Sequence, residues 1–75
     1  MDKDLKIVYA RALAWKGVNL TEMQNNNFIH ACKLSLQDNE TTDDACIAAR
    51  VYLNFILRFP DIELPPLNTA AQTHI

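Results

Sequence analysis

The sequence predicts an all-α protein: a small three-helix bundle with an extended C-terminal tail. Three observations lead there. Apolar residues recur at helical spacing in three stretches, each opened by capping residues and closed by a glycine, a polar turn or a proline. One glycine and three prolines are too few for the many turns of an all-β fold. From Pro60 onward the run Pro-Asp-Ile-Glu-Leu-Pro-Pro-Leu cannot continue a helix and reads as extended chain. The expected organisation is a three-helix domain over residues 1–59 and an extended or partly disordered tail over 60–75.

The first helix is expected from about Asp2 to Lys16. Acidic residues open it, Lys16 lies in the last turn and Gly17 suits the residue just past the end. Leu5, Val8, Tyr9, Ala12, Leu13 and Trp15 share one face. Ile7, Ala10 and Ala14 form a second, smaller stripe flanked by Lys6 and Arg11; exposed alanines of this kind need no special role.

A short link, Gly17 to Leu20, leads to the second helix. Thr21 with Gln24 three residues on has the form of a capping box, and the helix then runs to about Gln37. Leu20, Met23, Phe28, Ala31, Cys32 and Leu34 cover its apolar half. Asn25-Asn26-Asn27 leaves a second start open, at Phe28 with Asn27 as cap, because asparagine side chains compete for backbone hydrogen bonds.

Gln37 to Thr42 reads as a polar turn. Thr41 or Thr42 caps the third helix, Asp43 and Asp44 complement its positive end, and Pro60 stops it near Arg58 or Phe59. Short connections favour an antiparallel up-down arrangement. The tail residues Ile62, Leu64 and Leu67 have the spacing to lie along the bundle. Asn68 to Ile75 are expected to be mobile. Leu64-Pro65-Pro66-Leu67 has two readings: a segment that docks in an aromatic-lined groove, or a loop folded back over the third helix to cover it.

That third helix carries most of the functional argument. Twelve of the fifteen residues from Ala45 to Phe59 are apolar, and the exceptions, Arg50, Asn54 and Arg58, fall at four-residue spacing on one narrow stripe. A helix apolar around most of its circumference must be covered around most of it. A chain of 75 residues has little to cover it with. Tyr52, Phe55 and Phe59 are expected to pack largely in the core, on Leu13, Trp15 and Phe28. Ile47, Val51, Leu57 and part of Phe55 look surplus, and a surplus apolar patch marks an association site. The expected partner-binding residues are therefore Ile47, Arg50, Val51, Asn54, Phe55, Leu57 and Arg58, with the arginines at the rim.

Other chemistries find little to rest on. His30, Cys32, Cys46 and His74 are the metal-type ligands. A His-x-Cys pair on a helix points its side chains about 200° apart and no Cys-x-x-Cys is present, so no metal and no cofactor is expected. His30 and Cys32 for the same reason make no nucleophile–base pair, and the paired acids Asp2/Asp4 and Asp43/Asp44 stand at helix starts, where capping accounts for them. No enzyme activity is expected.

The net charge of -2 argues against nonspecific binding to nucleic acid or an anionic membrane. The competing class is a small DNA-associated transcriptional regulator, with Lys6, Arg11 and Lys33 as phosphate contacts. The opening Met1-Asp2-Lys3-Asp4 has no secretory pattern, and no apolar run approaches the roughly 20 residues that span a bilayer. Cys32 and Cys46 read as buried reduced thiols, so the expected setting is cytoplasmic. The expected function is a noncatalytic protein–protein interaction module, an adaptor or modulator. Its partner is itself, as a homodimer, or another protein.

Overall fold

The computed structural model describes residues 2–68. Among these it contains three helices and no strand: α1 (Lys3–Lys16), α2 (Glu22–Asp38) and α3 (Thr42–Arg58). Each pair of helices is in contact.

Local chemistry sets every helix end. The Asp2 carboxylate accepts from the Asp4 amide at the start of α1. Gly17 ends α1 in the left-handed conformation, φ 63°, and its N–H donates to the Leu13 carbonyl. Thr21 and Gln24 form the full capping box of α2: the Gln24 amide donates to Thr21 Oγ1 at 3.2 Å, and the Thr21 amide to Gln24 Oε1 at 2.9 Å. Thr41, not Thr42, caps α3 by accepting from the Asp44 amide.

Thus α2 begins at Glu22 and carries all three asparagines within it. The poor helix propensity of Asn25 and Asn27 is offset by tertiary bonds. The Tyr9 hydroxyl donates to Asn25 Oδ1, and Asn27 Nδ2 donates to the Pro60 carbonyl at 2.9 Å. The second bond also fixes the sense of the α2–α3 pair. The start of α2 lies beside the chain just past the end of α3, so the two run antiparallel. Arg11 of α1 meets Asp43 at the other end of α3.

The core is built from small side chains. It comprises Leu5, Val8 and Ala12 of α1, Phe28, Ala31 and Cys32 of α2, and Ala45, Cys46, Ala49, Leu53 and Ile56 of α3. Six of these eleven are Ala or Cys, which lets the helices approach closely and leaves little interior volume for more aromatic rings. Phe28 takes the one fully buried aromatic position, its ring centroid 5.3 Å from that of Tyr9. Trp15, Met23, Phe55 and Phe59, expected at the core, therefore lie about half in solvent. Cys32 and Cys46 are buried and free.

The tail takes a course the sequence left open. Phe59 closes α3 through its N–H to the Phe55 carbonyl, and the Ile62 amide turns back onto the Phe59 carbonyl at 2.9 Å. The chain then runs beside α2, in the direction of α2, not over α3. His30 Nε2 bonds the Pro65 carbonyl at 2.7 Å, and Gln37 Oε1 accepts from the Asn68 amide at 2.9 Å. Ile62 and Leu64 pack against the core. The expected mobility of the last eight residues lies outside the described residues from residue 69 onward, while Asn68 is held by Gln37.

Candidate protein-binding face

The outward side of α3 is a ladder of large apolar residues. Ile47, Val51, Phe55 and Phe59 are spaced by four, so they climb the helix as one slowly turning ridge. Each keeps about half its surface in solvent, from 48% at Phe55 to 57% at Ile47. The core stripe Ala45, Ala49, Leu53 and Ile56 occupies the opposite side of the same helix. No described segment of the chain covers the ridge, because the tail is engaged on α2.

Leu57 does not belong to this face. It is half-buried against the core, four residues on from Leu53 and adjacent to Ile56, on the edge of the buried stripe. Phe59 takes its place as a large apolar residue on the outward side. The four-residue spacing already contained that signal; the expectation of a larger core hid it.

The polar residues flank the ridge. Asn54 and Arg58 are exposed. Arg50 is half-buried, with its guanidinium carbon 5.7 Å from the centroid of the Trp15 ring on α1. Its Nε is enclosed and has no hydrogen-bond partner, so the stack on Trp15 is what holds this end of the side chain. Lys16 lies near the same ring, its Nζ 5.1 Å from the centroid. Trp15 thus carries the apolar surface from α3 across Arg50 to α1. Helical periodicity does not signal this, since it places Trp15 on the face that holds Val8 and Ala12.

Charge on α3 is segregated. Asp43 and Asp44 are exposed in the first turn, and Arg58 is exposed in the last. Asp43 forms an ion pair with Arg11 at 3.2 Å; both side chains are largely in solvent, so the pair adds little stability. That pair also engages Arg11, one of the three cations considered for phosphate contact. Lys6 and Lys33 are exposed on two different helices.

Among the described residues, the two cysteines are buried and His30 is engaged by the tail; His74 lies outside them. Burial, and secondarily the neighbouring Cys46, push the Cys32 thiol up to about 12, so it stays protonated at neutral pH. His30 faces the tail, at an open groove it shares with Asn26, Asn27, Asp61 and Glu63. Among the described residues, no group of three or more His, Cys, Asp or Glu side chains is placed to hold a metal ion. No described helix is long and apolar enough to cross a membrane.

No family model matches the chain, and neither curated proteins nor solved structures give a significant match.

Proposed function

We propose that this chain is a noncatalytic protein-binding module that acts through self-association, with the outward face of α3 as its docking surface. The observation that carries the reading is the ridge Ile47, Val51, Phe55 and Phe59, four large apolar side chains about half in solvent along α3 and its C-cap in a 75-residue chain. Removing apolar surface from water is worth about 25 cal/mol per Å². A small domain with a core of alanines and cysteines gains proportionately more from such burial than a large one.

The mechanism is surface complementarity. The ridge supplies the anchors, and Arg50, Asn54 and Arg58 supply the polar rim. Arg50 is held by the Trp15 ring before any partner arrives, so less side-chain freedom is lost on docking. A cytoplasmic setting suits two buried, reduced thiols.

The test is Val51→Lys, at the middle of the ridge. Light scattering is expected to report a dimer for the native chain and a monomer for the variant, both with the same helical circular dichroism. A variant that keeps the native mass removes Val51 from the interface.

A further inference from the structure

We propose that the partner on this face is a second copy of the chain, laid antiparallel along α3. Val51 of each copy sits at the twofold axis, and Asp44 of one copy meets Arg58 of the other. The proposal rests on the self-association reading above and adds the sense and register of the pair.

The layout of α3 supports it. Ile47 and Phe55 each stand four residues from Val51; Asp44 and Arg58 each stand seven. On a helix turning 3.6 residues per turn, a step of four rotates the side chain by about 40° and a step of seven by about 20° the other way. All five residues therefore share one face centred on Val51, and all five are exposed. Asp44 and Arg58 lie about 10 Å along the axis on either side of Val51. Neither has an ion pair among the described residues, since it is Asp43 that is bonded to Arg11.

An isologous dimer requires a surface complementary to itself. A twofold axis across α3 at Val51 reverses the helix. It places Ile47 opposite Phe55 of the other copy, Val51 opposite Val51, and Asp44 opposite Arg58. Symmetry then supplies each of these contacts twice, apart from the one at the axis. A parallel pair in register does the reverse: Arg58 meets Arg58, Asp44 meets Asp44, and the helix dipoles align unfavourably. The charge at the two ends of the ridge thus selects the antiparallel sense. At the shallow crossing angle common to paired bundle helices, the Arg58 side chain has the reach to close the pair. The tail leaves this face open for the second copy.

Charge reversal tests the register. Asp44→Lys and Arg58→Glu are each expected to weaken the dimer about tenfold in sedimentation equilibrium, because each creates two like-charge contacts per dimer. An equimolar mixture of the two variants is expected to recover association within a few-fold of the native chain, since both contacts become attractive in the mixed dimer. Each substitution also weakens the charge complement at one end of α3, and mixing does not restore that, so recovery reads the pair between copies. If a reversed chain does not fold, Asp44→Asn and Arg58→Gln replace it; each is expected to weaken the dimer by a smaller factor, and unchanged association overturns the register. Single variants that associate like the native chain, or a mixture with no gain, overturn the register while the face itself survives. A native chain that stays monomeric overturns the self-association reading with it.

Discussion

The Arg50 guanidinium lies over the indole ring of Trp15, 5.7 Å from carbon to ring centroid, and so ties the middle of α3 to the last turn of α1. Its Nε has no hydrogen-bond partner, which leaves the ring as the main restraint on that end of the side chain. A half-buried contact of this kind is worth about 0.5–1 kcal/mol. A double-mutant cycle with Trp15→Ala and Arg50→Ala, followed by urea denaturation, is expected to return a coupling of that size. Effects that simply add mean the stack contributes nothing to stability.

Two phenylalanines separate core from surface. Phe28 is fully buried against Tyr9, whereas Phe55 is about half in solvent. Phe28→Ala is expected to cost about 3–5 kcal/mol, most of what a domain of this size has, and to abolish cooperative unfolding at room temperature. Phe55→Ala is expected to cost the dilute monomer about 1 kcal/mol or less while weakening self-association. Equal losses of monomer stability for the two variants contradict this division.

The Cys32 thiol gives stability an alkaline limit. Its folded value is raised to about 12 from the ordinary 9.0, so between these values the folded chain holds a proton that the unfolded chain gives up. Uptake of protons by the folded state makes stability fall as pH rises. The contribution is fully present below pH 9 and is lost progressively as pH climbs toward 12. Urea midpoints measured across that range are expected to drop for the native chain and to drop less for Cys32→Ala, compared with each chain's own value at pH 8. Alkylation by iodoacetamide at pH 8 is expected to be slow when native and fast in denaturant; rapid native labelling means that the thiol is accessible.

Tail docking has a direct readout at Asn68. Gln37 Oε1 accepts from the Asn68 amide, so hydrogen exchange there is expected to slow in the native chain and to speed up in Gln37→Ala. Deleting residues 68–75 is expected to leave helical circular dichroism unchanged and to lower the melting temperature by a few degrees at most, because Ile62 and Leu64 still pack on the core. A large loss of helicity on that deletion contradicts a tail that only lies along α2.

What the sequence made legible follows a pattern. Helix ends depend on chemistry within a turn, and Gly17, the Thr21/Gln24 box and Pro60 all act where their spacing places them. The partition of the apolar residues was less legible, because it depends on how closely the helices approach. Ala12, Ala31, Ala45 and Ala49 draw them together, and that moved Trp15 and Phe59 outward. Leu57 was misplaced because a helix apolar on most sides gives no sharp edge between core and surface. The tail's course depends on Asn27, His30 and Gln37 reaching main-chain atoms more than thirty residues away, which no local pattern reveals. Ile47 and Val51, by contrast, stand in solvent as the surplus of apolar residues on α3 predicts, and Phe55, expected largely in the core, is exposed with them.

The central claim is that α3 docks on a second copy, and the mass of the native chain in solution tests it most directly. Sedimentation equilibrium up to about 1 mM is expected to show a species of twice the 8.5 kDa chain mass, replaced by the monomer on dilution. A mass of 8.5 kDa at every concentration contradicts it.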